Sequence, residues 1–184
     1  MNLATKTEFT FSKENLAIAK KIISNYPVGK EASAILAILE LAQSQNGNWL
    51  SNNCIEYVAT LLKLPYIKVH EIASFYTMFN LKPVGKYHIQ ICGTTPCWLK
   101  GANDIMSFCK KLLNIESGQT SQDKLFTIKE VECLGACRNA PVAQINYDYH
   151  ENLTNDKIKE IINNLQAADL QQKSVLKIDE KSNL

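Results

Sequence analysis

The sequence predicts an α+β protein in which a helical bundle over residues 1–82 precedes a small α/β unit over residues 83–165. Three observations predict it. Apolar residues recur at helical spacing through the first part of the chain. From Lys86 onward, alternating strand-like segments appear between further helical stripes. Four of the six cysteines fall in two close pairs, each at or just past the end of a strand-like segment.

The first unit is read from its stripes. Leu16, Ala19 and Ile23 recur at i, i+3 and i+7. Ile35, Ile38, Leu39 and Ala42 follow i, i+3, i+4 and i+7, as do Ile55, Val58, Ala59 and Leu62, and Val69, Ile72, Ala73 and Tyr76 repeat the pattern. Each such stripe needs an apolar partner. Pro27 and Gly29, then Asn46 and Gly47, then Pro65 punctuate the stripes, and Ser51 is placed to cap the third helix. Short helices joined by short loops make a bundle. It carries no cluster of titratable residues, so it reads as a packing and docking module.

In the second unit, residues 86–92 (KYHIQIC) alternate, with Tyr87, Ile89 and Ile91 on one face of a half-buried strand. Ile105, Phe108, Cys109 and Leu112 form a helical stripe. Residues 126–133 and 142–147 are the next two strands, and Thr154 caps a helix carrying Ile158, Ile161, Ile162 and Leu165. The order β-α-β-β-α is that of a small layered α/β structure. Residues 166–184 are polar and lack a stripe, which reads as a flexible tail or an arm that orders on a partner.

Composition narrows the function. In 184 residues, 20 basic side chains nearly balance 18 acidic ones, for a net charge of +2. That balance gives no case for a nucleic-acid footprint or a polybasic membrane patch. A hydrophobic content of 46% suffices for a core. The longest apolar stretch, residues 32–39, is too short to span a bilayer. The N-terminus shows neither the apolar core of a signal peptide nor an Arg-rich transit segment. Six cysteines without a secretory signal point to metal or redox chemistry rather than disulfides.

The paired cysteines are Cys92 and Cys97 (C-x4-C) and, after 35 intervening residues, Cys133 and Cys137 (C-x3-C). A 2Fe–2S centre takes four thiolates, two on each iron, and two loops giving two sulfurs each supply them. Gly93, Gly135 and Ala136 let backbone N–H groups approach so negative a group. Structural zinc, which tolerates C-x2–4-C spacing, is the rival reading. A Rieske centre needs two His ligands, and His70, His88 and His150 lie in neither loop. No C-x-x-C exists for a thioredoxin-type dithiol. Cys54 and Cys109 sit on apolar helical faces, where a free cysteine acts as a small hydrophobe. The chain's single Arg, Arg138, adjoins Cys137, where its charge would favour the more negative, reduced state of such a cluster.

Three strings carry a family resemblance: FYTMFNLKPVGKYHIQICGTTPC (75–97), KLFTIKEVECLGACRNAPVAQIN (124–146) and YHENLT (149–154). Through them the chain, over roughly residues 10–165, resembles the small iron–sulfur subunit of NADH:quinone oxidoreductase, respiratory complex I. In bacteria this is the E subunit, and in mitochondria the 24 kDa subunit. The resemblance implies a helical bundle followed by a thioredoxin-like α/β domain. It implies one 2Fe–2S cluster on Cys92, Cys97, Cys133 and Cys137, and no catalytic residue on this chain. It further implies a partner flavin subunit that binds FMN and NADH and hands single electrons to the cluster, and other peripheral-arm subunits around it. The location implied is peripheral, on the cytoplasmic side of a bacterial inner membrane, or on the matrix side in an organelle, with no membrane span of its own. The chain has no G-x-G-x-x-G after a strand, so by itself it is not expected to oxidise NADH. Asn155 and Asp156 stand where the family often has Pro-Glu. The 2Fe–2S subunit of a soluble NAD-linked hydrogenase or formate dehydrogenase is the alternative. A non-enzymatic module, zinc-stapled or cluster-based, is the alternative of a different class.

Overall fold

A computed structural model describes residues 8–182. The first seven residues of the expected bundle and the last two of the expected tail lie outside the described residues. The chain divides into two compact units, the first ending at Val84 and the second beginning at Gly85.

In the first unit the four stripes become four α-helices. They are α1 (Lys13–Ser24), α2 (Ile35–Gln45), entered through a 3-10 turn at Glu31–Ala34, α3 (Asn52–Leu62) and α4 (Tyr66–Phe75). Ser12 Oγ accepts from the Asn15 N–H at 3.1 Å to cap α1, and Ser51 Oγ accepts from the Cys54 N–H at 3.2 Å to cap α3. Lys63, in the left-handed region with φ 54°, ends α3 just before Leu64 and Pro65. Ile35, Ile38, Leu39 and Ala42 bury against Ile55, Val58, Ala59 and Leu62 in one core. Each large aliphatic side chain so buried contributes about 1.5–3 kcal/mol relative to exposure. The fourth stripe is narrower than expected: Val69 and Ala73 are buried, whereas Tyr76 lies beyond the helix end and is exposed. Buried Gln43 holds the segment after α4, donating to the Met78 carbonyl at 3.1 Å and accepting from the Asn80 N–H at 2.7 Å.

The second unit is a four-stranded mixed sheet in the order β2-β1-β3-β4. β1 (Tyr87–Cys92) runs parallel to β2 (Phe126–Val131) and antiparallel to β3 (Ala143–Ile145), which pairs antiparallel with β4 (Asp148–His150). The parallel pair requires a crossover, and α5 (Thr95–Leu99) and α6 (Ala102–Leu113) provide it. Ile89, Ile91, Phe126 and Ile128 of the sheet pack with Ile105 and Cys109 of α6 and Ile158 and Ile162 of α7 (Asn155–Ser182).

Four expectations are corrected. β1 is paired on both edges and buried on both faces, His88 and Cys92 included, so it is a central strand rather than a half-buried one. Leu112 is exposed, and Ala102 and Met106 complete the buried face of α6 with Ile105 and Cys109. The 142–147 strand is shorter and is followed by a further strand, β4, after a turn at Asn146 with φ 55°. The tail is helical through Ser182, continuing α7 past the expected end at residue 165. A polar anchor holds the turns just past residue 165. Asp169 is buried, and its carboxylate meets Lys86 Nζ at the start of the sheet and Lys173 Nζ one turn on, each at 2.6 Å.

Candidate metal centre

The sheet register brings the two cysteine loops together. Cys92, the last residue of β1, is paired with Val131, the last residue of β2, and the Gly93 N–H donates to the Val131 carbonyl at 3.0 Å. The parallel strands therefore open their two loops side by side, where α/β folds place functional groups. After β1 the chain turns through Gly93 and Thr94 into α5, which carries Cys97. After β2 it turns through Cys133, Leu134 and Gly135 into a 3-10 turn at Cys137–Asn139.

Cys92 and Cys97 are buried, and Cys133 and Cys137 are exposed. Cys133 Sγ and Cys137 Sγ are 3.5 Å apart. Cys92 Sγ lies 3.2 Å from Thr94 Oγ1, and the Gly135 N–H reaches Cys133 Sγ at 3.4 Å. Gly135 has φ +83°, a backbone conformation that a side chain would strain.

The thiols perturb one another across the loops. Burial raises the pKa of Cys92, but hydrogen bonds from the Thr94 hydroxyl and N–H, the Leu134 N–H and the Cys97 thiol outweigh it and hold Cys92 below the ordinary thiol value. Burial, assisted by the hydrogen bond with Cys92, pushes Cys97 up to about 11. The Gly135 N–H is the main cause that lowers Cys133, helped by the Cys137 thiol and the Thr94 hydroxyl. Cys137 is raised, first by its hydrogen bond with Cys133 and then by burial and by the charges of Cys133 and Cys92. Each pair thus has one thiol whose pKa is lowered and one whose pKa is raised. Cys92 acts on both members of the other pair, and Cys137 acts on Cys97. The four expected sulfurs thus sit in two neighbouring loops, two in each.

The chemistry of this donor set fits a 2Fe–2S cluster: two sulfur pairs from two loops, with the backbone N–H groups of Thr94, Leu134 and Gly135 directed at sulfur. Among the described residues, no group of three or more His, Cys, Asp or Glu side chains is gathered closely enough to hold a metal ion as the side chains stand.

Of the other residues marked out by the sequence, Arg138 belongs to the second cysteine loop and the rest to other elements. Cys54 is buried in the first unit's core beside Ser51, and Cys109 is buried in α6, where burial pushes its thiol up to about 12. His70 is on α4, buried His88 on β1, and His150 ends β4. Arg138 is exposed in the 3-10 turn. Two supporting features carry no sequence signal of their own. α5 is only five residues long and has no periodicity to betray it, and Tyr149, within the YHENLT string, bonds the cysteine loop through its hydroxyl.

A helical unit joined to this mixed sheet, with four cysteines at the ends of its parallel strands, defines a ferredoxin of the thioredoxin-like class. The chain belongs to the thioredoxin-like 2Fe-2S ferredoxin family, whose model matches residues 19–166. It is 59% identical over 160 residues to the E subunit of NADH-quinone oxidoreductase from Rickettsia conorii, covering 87% of this chain and 96% of that one. It is 57% identical over 156 residues to the protein of the same name from Rickettsia felis, covering 85% and 93%. Among solved structures, the NAD+-reducing NiFe-hydrogenase in the air-oxidized state superposes with a TM-score of 0.62 at 25% identity. That match covers 71% of this chain and 23% of the hydrogenase chain.

Proposed function

We infer that this chain is the iron–sulfur electron-transfer subunit of an NADH:quinone oxidoreductase. The observation that carries the inference is its 59% identity to an NADH-quinone oxidoreductase E subunit along 96% of that protein's length. Cys92, Cys97, Cys133 and Cys137 are the four ligands of its one 2Fe–2S cluster. When bound, the cluster supplies one-electron transfer. The chain's own residues hold it: the sulfurs bind iron, and the N–H groups of Thr94, Leu134 and Gly135 offset its negative charge. The donor of single electrons is the FMN of a partner flavin subunit that oxidises NADH. The first unit and the end of α7 serve docking rather than chemistry. Among the described residues no helix is long and apolar enough to cross a membrane. The place we assign to the chain is peripheral in the complex, on the cytoplasmic side of an inner membrane.

The likeness to the NAD+-reducing hydrogenase favours a second reading, in which the same electron-transfer unit serves a soluble NAD-linked enzyme. Purification of the tagged chain from native membranes separates the two. Co-purification of an FMN-containing subunit and membrane-embedded subunits, with NADH–quinone reductase activity, is the expected result. A complex recovered from the soluble fraction with hydrogenase activity would contradict it.

A further inference from the structure

The peptide that joins Leu134 to Gly135 is engaged at both ends. Its carbonyl oxygen accepts from the Tyr149 hydroxyl at 2.8 Å. Its N–H points the opposite way, as in any planar trans peptide, and reaches Cys133 Sγ at 3.4 Å. We propose that Tyr149 is a positioning residue for the metal centre: by holding the Leu134 carbonyl it aims and polarises the Gly135 N–H toward the Cys133 sulfur. The proposal rests on the reading that Cys133 is a cluster ligand.

Two consecutive hydrogen bonds through one peptide strengthen each other. Hydrogen bonds to the sulfurs are among the factors that set the reduction potential of an iron–sulfur centre. Reduction adds one electron and one negative charge and breaks no bond. A better-aimed N–H stabilises the more negative state, so Tyr149 raises the potential. The hydroxyl is well placed for this role. The Tyr149 backbone is fixed in β4, paired with Gln144 of β3, while its side chain reaches the loop. The loop does not depend on Tyr149 alone. Further along, Asn139 Nδ2 donates to Glu151 Oε2 at 2.6 Å, and the Asn152 N–H donates to the Asn139 carbonyl at 2.7 Å. Removing the Tyr149 hydroxyl should therefore retune the centre without dismantling it. Tyr149 is half exposed, so water replaces part of what the hydroxyl gives, and the effect is modest.

The test is a potentiometric titration of the purified holoprotein with dithionite as the one-electron reductant, read by visible absorption and by EPR of the reduced state. Tyr149→Phe is expected to keep its iron and sulfide and to move the midpoint to more negative potential. The expected change is about threefold in the reduction equilibrium, or about 28 mV at 59 mV per decade for one electron. Placing 3-fluorotyrosine at position 149, a stronger donor of nearly the same shape, should move it the other way at a pH where the phenol stays protonated. If Tyr149→Phe loses its cluster, the fluorotyrosine protein decides: a positive shift supports the role, and no shift or a negative one overturns it. Midpoints and EPR spectra unchanged in both, with the cluster intact, would also overturn it. A wild-type protein that holds no 2Fe–2S cluster would instead remove the ligand reading itself, and this role with it.

Discussion

Lys86 Nζ lies 2.6 Å from Oδ1 of Asp169, 83 residues further along the chain, and the Asp169 side chain is only 6% exposed. A second cation, Lys173 Nζ, meets the other carboxylate oxygen at 2.6 Å. The hydrogen bonds from Lys173 and Lys86 hold the Asp169 carboxyl below its ordinary value. A buried carboxylate between two ammonium groups fastens the middle of α7 to the residue just before β1. Asp169→Asn leaves both cations without their countercharge. It is expected to lower the urea midpoint of unfolding and to weaken amide-exchange protection in α7 around position 169. It should leave iron and sulfide content unchanged. Since the folded pKa is depressed, this contribution is present above about pH 4 and is lost as pH falls through the folded value.

A side chain at Gly85 would meet the Phe126 carbonyl carbon at 2.7 Å and the Phe126 and Thr127 nitrogens at 2.9 Å, all of them backbone atoms of β2. The Gly85 N–H also donates to Thr127 Oγ1 at 2.6 Å. Backbone paired into a sheet yields little, so Gly85→Ala should destabilise the protein by about 1–3 kcal/mol, the usual cost of overpacking. Equilibrium urea denaturation checks this, and a midpoint equal to wild type would show that β2 shifts freely.

Burial, aided by the nearby Lys129 charge, lowers the pKa of His88 to about 4. Between that value and about 6.5 the unfolded chain binds a proton that the folded chain does not, so stability rises with pH across this window. Going from pH 7 to pH 5 should cost about 2 kcal/mol from this group. His88→Phe removes the titration and should flatten the stability–pH profile over that range. An equally steep profile in the variant would assign the slope to other groups.

The helical stripes of the first unit were legible because their burial is local and periodic, as Ile35, Ile38, Leu39 and Ala42 show. The cysteine loops were legible because the sulfur pairs start at a strand end, Cys92, and two residues past one, Cys133. What was not legible depends on distant partners. Asp169 gives no hydrophobic signal, and Lys86, far off in sequence, is what ties the middle of α7 to the sheet. β4 is three residues long, too short for alternation to register, and it exists because Ala143 and Ile145 present it with an edge. The Tyr149 hydroxyl bond to Leu134 follows from where β4 ends up, which no local pattern encodes.

The ligand assignment is tested most directly by iron and acid-labile sulfide analysis, with visible and EPR spectra, of the anaerobically purified wild type and six single Cys→Ala variants. The wild type should hold two irons and two sulfides per chain, the composition of one 2Fe–2S cluster. Replacing Cys92, Cys97, Cys133 or Cys137 should abolish the wild-type spectrum, while Cys54→Ala and Cys109→Ala should keep it. A colourless wild-type protein carrying zinc would contradict the assignment. So would a folded Cys109→Ala protein that had lost its cluster.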